Sequence, residues 1–372
     1  MTQLAVAVSG GVDSLCALLR LREQGHDVLA LHGLFLPDAA SSGLRPAPEG
    51  PRLLTAAEAL AAPLPPASRQ AVEGLQTACG QLGIPLHVAD MRAVFDREVV
   101  TPFVRAYARG RTPNPCVDCN REIKFGALMD WALDHGMDAL ATGHYARVDY
   151  DEAAGRWRLL RGLDRRKDQS YFLFQLTQAQ LAHLLLPVGG YEKGDIRALA
   201  ADHGLENAQK PDSQDICFVP DGDYAAFLER QGVTLRQGNF VDASGRVLGP
   251  HRGLERYTTG QRKGLGVSAG EPVYVLRKDL ASGDVVLGPD SALYTRTLTA
   301  ERVNWISIPE LTEPMAVTAK TRYSQREAEA VLYPLPGGAV RAEFREPQRA
   351  VTAGQATVFY DGEAVVGGGI IC

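Results

Sequence analysis

The sequence has no dense cysteine framework: six cysteines, at positions 16, 79, 116, 119, 217 and 372, are scattered unevenly through 372 residues. That excludes a small disulfide-stapled secreted fold. It points instead to a reducing compartment, where cysteines are buried, metal-binding or catalytic. An excess of charge of one sign is also missing. Lys and Arg number 39 against 44 Asp and Glu, a net charge of −5, which argues against a bulk nucleic-acid binder but leaves room for a local positive face. Residues 1–8 carry no basic segment, and their apolar run is far too short for a bilayer before Ser9-Gly10-Gly11 breaks it. The expected location is therefore the cytoplasm, with no membrane partner. There is no Walker-type Gly-Lys-Ser/Thr, no internal repeat, no coiled coil and no separate glutaminase segment. A composition of 45% hydrophobic and 22% charged residues is that of a soluble globular protein. The length predicts two or three domains.

In the first half, short apolar runs alternate with helical patterns. Residues 3–8 read as a buried strand ended by glycines, and 14–24 as an apolar-faced helix that Gly25 can stop in a left-handed conformation. Strands at 27–31, 84–89 and 138–142, helices at 68–82, 93–109 and 122–134, and a hairpin over 145–160 continue the series. The alternation predicts an α/β fold, with a Rossmann-like parallel sheet in a nucleotide-binding domain over 1–208. Residues 37–68, rich in Pro, Ala, Gly and Ser, read as an insertion without regular structure, a lid or a variable loop. Beyond about residue 208, short alternating segments replace helical runs, with strands at 273–276, 284–287, 315–321, 340–344 and 356–360. These predict a small β-rich central domain over 209–287 and a C-terminal β-barrel over 288–372.

The strongest motif is Ser9-Gly10-Gly11-Val12-Asp13-Ser14, between a strand and a helix. Two glycines let successive N–H groups face one point, the helix N-terminus adds positive character, and the serines add hydroxyls, which together suit a pyrophosphate. In a Rossmann-like sheet the nucleotide lies across the strand ends, so residues 31–33 and the turn at Gly143 should flank an adenosine. A second constellation is Gly110-Arg-Thr-Pro-Asn-Pro-Cys116-Val-Asp-Cys119-Asn-Arg-Glu-Ile-Lys-Phe125. Its prolines stiffen 112–115, and a helix beginning just after Cys119 would favour a thiolate, helped by Arg111, Arg121 and Lys124. A third is the polar loop Pro211-Asp-Ser-Gln-Asp-Ile-Cys217, whereas Cys16 and Cys79 sit on apolar helix faces as small core residues. Three readings of the cysteines stand: a structural zinc, for which the second pair is missing; an iron–sulfur cluster on Cys116, Cys119 and Cys217 with one open iron; or sulfur transfer through Cys119 and Cys217. Arg105, Arg109 and Arg111, with Arg156, Arg158, Arg161, Arg165, Arg166 and Lys167, could form a track for RNA phosphates.

The SGGVDS stretch resembles the PP-loop of the ATP pyrophosphatases, which split ATP between its α- and β-phosphates. With it, TPNPCVDCNREIKF (112–125), ATGHYAR (141–147), KDQSYFL (167–173), DSQDICF (212–218), GLERYTTGQRKGLG (253–266), KTRYSQ (320–325) and AVTAGQATVFYDGEAVVGGGII (350–371) occur in an order and at distances similar to those of the bacterial tRNA-specific 2-thiouridylases. The resemblance spans residues 4–33 and nearly everything from 110 onward. It implies that ATP, with Mg2+, is bound through Ala7, Val8, Ser9, Gly10, Gly11, Val12, Asp13 and Ser14, flanked by Gly33 and Gly143. It implies that Cys217 carries a persulfide, that Cys119 is the partner thiol, and that the two can form a disulfide. Asn114, Pro115 and Cys116 match the stretch beside the target base. Lys167, Asp168, Gln169, Arg322 and Tyr323 match tRNA contacts, with His144 and Gln355 near them. The implied partners are tRNA and an upstream persulfide donor of a sulfur relay, and the implied state is a monomer.

Two departures stand out. Many members of that family have Asp at the position of Cys116, where a carboxylate could accept a proton; here Asp118 lies nearby and a Cys-x-x-Cys pair offers cluster ligation instead. Residues 37–68 also lack the acidic, aromatic stretch that the family usually carries after the second strand.

Overall fold

The computed structural model describes residues 2–36, 52–205, 216–267 and 270–372. They form two compact units: residues up to 100, 116–205 and 363–365 in the first, and 101–115, 216–362 and 366–372 in the second.

The first unit is built on a six-stranded sheet. Its strands are β1 (Gln3–Ala7), β2 (Asp27–Leu34), β3 (Arg52–Thr55), β4 (Leu86–Asp90), β5 (Ala139–Thr142) and β8 (Leu184–Leu185), in the order β3-β4-β2-β1-β5-β8. All pairings are parallel except β3 with β4. The central strands are continuous apolar runs because both faces are covered: Leu4, Ala5 and Val6 of β1 and all four residues of β5 are buried. The helix Val12–Glu23 lays Leu15, Leu18 and Leu19 on this layer, and the helices Pro66–Leu82 and Lys193–Asp202 add Leu75, Cys79, Ile196 and Ala200. The chain moves outward from β1 to β2 and β4, then returns to place β5 on the other side of β1. The loops after β1 and β5 therefore meet at the point where strand order reverses, which is where open α/β sheets bind ligands. A hairpin of β6 (Ala146–Asp151) and β7 (Arg156–Arg161) follows β5 directly.

Two sequence expectations need correction in this unit. Residues 37–68 were expected to lack regular structure, but the described part holds β3 and the helix Ala56–Ala61, opened by a capping box between Thr55 and Glu58. The apolar Leu54, Ala56 and Ala59 give these short elements a core against Val72 and Val88. Residues 37–51 lie outside the described residues. The helix expected just after Cys119 begins earlier, at Pro115, whose fixed φ suits a first helical position. It continues as a wide-turned stretch over Cys119–Ala127, broken by non-helical Gly126, into the helix Leu128–Asp134.

In the second unit, Phe103 of the helix Thr101–Ala108 packs edge-on to Phe218 at 5.2 Å and against Phe227 of the helix Tyr224–Arg230 at 6.1 Å. Strands β9 (Gly238–Val241), β10 (Val247–His251), β11 (Tyr274–Lys278) and β12 (Val285–Gly288) form a four-stranded sheet in the order β10-β9-β12-β11, with Phe240, Leu254, Val275 and Leu287 in its core. Strands β13 (Tyr294–Trp305), β14 (Met315–Lys320), β15 (Ala328–Pro334), β16 (Val340–Arg349), β17 (Ala356–Asp361) and β18 (Ala364–Ile371) follow, in the order β13-β16-β15-β14-β17-β18. Pairing of β13 with β18 closes them into a barrel, so that neither strand is left as an open edge. The architecture is thus a Rossmann-like α/β sheet, a β-rich central module and a C-terminal β-barrel. Among the described residues no helix is long and apolar enough to cross a membrane.

Two adjacent glycines give a clean test of the packing behind β5. A Cβ added to Gly189 would fall 1.6 Å from the Ala146 carbonyl oxygen, whereas one added to Gly190 meets nothing within 4 Å. Gly189→Ala should therefore lower unfolding stability by about 2 kcal/mol or more through backbone overpacking, and Gly190→Ala should stay within about 1 kcal/mol of wild type. Urea midpoints of the two variants compared with wild type decide it.

Candidate active site

The turn after β1 is folded upon itself. Val8 extends the pairing with β2, its N–H donating to the Leu31 carbonyl at 2.9 Å, and Gly10 then takes φ = 81°, a left-handed conformation that a side chain would strain. The hydroxyl of buried Ser14 donates to the Gly11 carbonyl at 2.9 Å and accepts from the Ser9 N–H at 3.1 Å, while Ser9 Oγ accepts from the Gly11 N–H at 3.3 Å. The serines thus hold the turn's shape, and the first N–H groups of the helix Val12–Glu23 have no acceptor inside the helix. Gly143 closes the turn from the side: a Cβ there would lie 2.6 Å from both the Asp13 carbonyl carbon and the Ser14 nitrogen. On the other side, a Cβ at Gly33 would lie 2.5 Å from the Phe35 ring. His32, beside it, is buried, and its Nδ1 lies 2.7 Å from the Val8 carbonyl. Burial lowers its pKa and that hydrogen bond partly restores it.

Asp13 has two partners that the sequence did not announce. Its carboxylate accepts from Lys193 Nζ at 2.7 Å on each oxygen, and from the Tyr145 hydroxyl at 2.8 Å. Lys193 is only 7% exposed, so its charge has little water to rely on. It opens the helix Lys193–Asp202, and its own N–H donates to the buried Asp164 carboxylate at 3.3 Å. Nothing local marks Lys193 in sequence: a lysine in the first turn of a helix ordinarily reads as a solvated residue.

A second cluster surrounds Cys116. Because the helix begins at Pro115, Cys116 and not Cys119 occupies its first turn, and Cys119 lies one turn in, half-buried. The lowered thiol pKa expected of a helix start does not hold for Cys116. Its side chain reaches the surface, yet burial of its surroundings pushes the thiol up, Asp118 pushes it further, and the Lys124 ammonium offsets part of this. Lys124 Nζ also lies 3.5 Å from His144 Nε2, and His144 Nδ1 lies 2.6 Å from Thr142 Oγ1. With its proton on Nδ1 the ring donates to Thr142 Oγ1 and offers the Nε2 lone pair to the Lys124 ammonium. Burial, and then Lys124, hold the His144 pKa well below its ordinary value, leaving a neutral imidazole beside the cysteine-bearing helix. Cys16 and Cys79 are core thiols, pushed up to about 12 and about 11 chiefly by burial.

The 167–173 stretch works as a clamp within the first unit. Asp168 is buried, and its carboxylate accepts from the Gly162 and Ser170 N–H groups and the Ser170 hydroxyl, each at 3.0 Å. The side chain expected to face tRNA is therefore turned inward, because those three donors satisfy it there. The Gln169 side-chain oxygen accepts from the Tyr145 N–H at 2.9 Å, and the Phe172 carbonyl accepts from the Asn120 amide at 3.1 Å. Lys167, half-buried, stands at the start of this clamp. Of the arginines expected to face phosphates, four face carboxylates: Arg158 meets Asp149 and Asp151, Arg161 meets Asp168, Arg165 meets Glu363, and Arg166 meets Asp164 and Glu192; Arg147 beside them also meets Glu363.

The remaining candidates belong to the second unit. Thr112, just before Asn114 and buried Pro115, donates its N–H to the Ala353 carbonyl at 3.1 Å, and its carbonyl accepts from the Gln355 amide at 2.8 Å. The Gln355 side chain thereby holds the irregular segment before Pro115 at Thr112. The Arg322 guanidinium donates to the Thr259 and Ala350 carbonyls at 3.0 and 2.8 Å, while Tyr323 beside it is 39% exposed. Cys217 is exposed in the turn Ile216–Val219, anchored by Phe218 in the Phe103 cluster. The rest of its motif, 212–215, lies outside the described residues. Among the described residues no three His, Cys, Asp or Glu side chains are gathered as a metal-ligand set.

Comparison with known proteins places this geometry. A family profile described as tRNA methyl transferase HUP domain matches residues 2–221, one described as tRNA methyl transferase PRC-barrel domain matches 225–289, and one described as aminomethyltransferase beta-barrel domain matches 295–371. The chain is 49% identical over 371 residues to a protein of Heliobacterium modesticaldum named tRNA-specific 2-thiouridylase MnmA, covering 99% of this chain and 92% of that one. Proteins of the same name from Acetivibrio thermocellus and Moorella thermoacetica are 45% and 46% identical, over 99% and 98% of both chains.

The neutral His144 has a measurable consequence. Its folded-state pKa is depressed, so as pH falls below the unfolded value of about 6.5 the unfolded chain takes up a proton that the folded chain refuses, and stability falls with pH. His144→Gln should flatten the dependence of unfolding free energy on pH between 6.5 and 5.5 by up to about 1.4 kcal/mol per pH unit. Urea unfolding at several pH values measures the slope, and an unchanged slope would mean the imidazole titrates normally.

Proposed function

Since the chain belongs to the tRNA-specific 2-thiouridylase family, we propose that it uses ATP to activate the C2 oxygen of a tRNA wobble uridine and replaces that oxygen with sulfur carried on Cys217. The observation that carries the ATP half is the self-bonded turn Ser9–Ser14 at the reversal of strand order, with Gly143 packed against it. A uracil C2 oxygen is a poor leaving group. Attack of that oxygen on the α-phosphate of ATP gives an adenylate and releases pyrophosphate, and the oxygen can then depart with AMP. The terminal sulfur of a Cys217 persulfide attacks C2 as AMP leaves. The Cys119 thiolate then attacks the Cys217 sulfur, breaking the S–S bond and leaving the thiocarbonyl on the base. A Cys119–Cys217 disulfide remains, to be reopened by an external dithiol. The persulfide sulfur comes from an upstream relay donor, and the base must leave its stack to reach the site.

The residues near Cys116 support a division of labour in which Lys124 carries positive charge for anionic intermediates and His144 stays neutral as a hydrogen-bonding partner. Cys116, with its raised pKa, is poorly suited to the proton-accepting role of an aspartate. Mg2+ would accompany the nucleotide phosphates as it enters. The alternative route to the same sulfur transfer uses an iron–sulfur cluster on Cys116, Cys119 and Cys217 with one open iron.

Three single variants separate the two routes. With the persulfide route, Cys119→Ser and Cys217→Ser should each reduce thiolation of undermodified tRNA by at least about 10²-fold, while Cys116→Ser stays within about fivefold of wild type. Pyrophosphate release should require that tRNA. Equal loss in all three variants, together with an iron–sulfur absorption band that disappears in Cys116→Ser, would show the cluster route instead.

A further inference from the structure

We propose that Lys193 is a positioning residue of the nucleotide site, holding the Asp13 carboxylate and cancelling its charge so that the turn Ser9–Ser14 can accept a polyphosphate. The proposal rests on the reading of that turn as the ATP site.

The turn offers backbone N–H groups and a helix N-terminus, which favour an anion. Its own sequence, however, places a carboxylate, Asp13, in the first turn of the same helix. A fixed negative charge there repels the phosphates that the N–H groups attract. Lys193 removes that conflict. Its ammonium meets both Asp13 oxygens at 2.7 Å, is almost wholly buried, and lies over the Tyr145 ring at 5.5 Å. The Tyr145 hydroxyl supplies a further donor to Asp13 at 2.8 Å. The ammonium is delivered by a rigid path: Cys16 on the turn's own helix donates to the Ile196 carbonyl at 3.3 Å, one turn beyond Lys193. Gly189, four residues before Lys193, is pressed against Ala146, the neighbour of Tyr145. Lys193 and Tyr145 therefore come to Asp13 from two separate segments and hold a neutral pair beside the phosphate turn.

The test is direct binding of ATP to the full chain by equilibrium dialysis, alongside the urea midpoint and the tRNA dissociation constant. Lys193→Met should raise the ATP dissociation constant at least about tenfold and leave tRNA binding unchanged, because a bare Asp13 charge is left at the turn. Asp13→Asn combined with Lys193→Met removes both charges and should bring ATP binding back to within about threefold of wild type. A merely structural lysine would lower the urea midpoint without this recovery. ATP binding by Lys193→Met within twofold of wild type, or a double variant no better than the single one, overturns the proposal. Should Lys193→Met fail to fold, the double variant and Tyr145→Phe carry the test. The double variant must then bind ATP nearly normally, and Tyr145→Phe, which keeps the ion pair, must bind within about threefold. If wild type binds ATP but transfers no sulfur, the proposed reaction falls and the binding comparison stands; if wild type binds no ATP, both fall together.

Discussion

Gly143 approaches the backbone of Asp13 and Ser14 so closely that one added carbon would sit 2.6 Å from it. That contact is possible only because β5 pairs in parallel with β1, with Leu4 opposite Ala139 and Ala7 opposite Thr142, so that both strands end at the same level. Much of the first unit follows from this register. The turn Ser9–Ser14 and the turn after β5 share a wall, and the residues just past Gly143 inherit fixed positions. His144 is turned toward Thr142 and Lys124, and Tyr145 toward Asp13. Interiors this dense do not deform continuously, so a shift of β5 by one residue would undo both clusters at once.

The sheet was legible in the sequence because its physics is local. Buried parallel strands must be apolar on both faces, and Leu-Ala-Val-Ala and Ala-Leu-Ala-Thr advertise that, as do the glycines that end β1. The barrel was legible in outline from alternation, although its closure depends on β13 finding β18, some seventy positions away, which periodicity does not encode. The insertion was misread for 52–68 because Pro and Ala suggest irregular chain, while the stabilising contacts of Leu54 and Ala59 with Val72 and Val88 are tertiary. The helix start was displaced from Cys119 to Pro115 for a reason visible in hindsight: proline is tolerated at a first helical position, and here it opens the helix.

The site was legible by residue type and less so by role. Asp13 reads in sequence as a ligand-facing carboxylate, yet its electrostatics are set by Lys193, 180 residues away. Asp168 and Gln169 read as contacts for RNA, whereas their side chains tie the 162–170 turn and Tyr145 together. Cys116 shows the same gap. A helix start favours a thiolate, but burial opposes it and prevails, with Lys124 recovering only part of the difference.

The arginine-rich hairpin region carries this argument to the surface. Arg147, Arg158, Arg165 and Arg166 would make a strong field if bare, but each has an acidic neighbour, as the overall net charge of −5 already hinted. Exposed ion pairs of this kind contribute only about 0–1 kcal/mol each, since both partners remain hydrated. A phosphate arriving beside Arg166, whose side chain is 82% exposed, therefore has little to displace. What the pairing changes is the local field: a face that would be strongly positive is brought close to neutral. Asp13 and Lys193 apply the same rule with less water about: the lysine is 7% exposed and the aspartate 27%, so the pair is screened less than the surface arginines and each charge depends more on the partner it has.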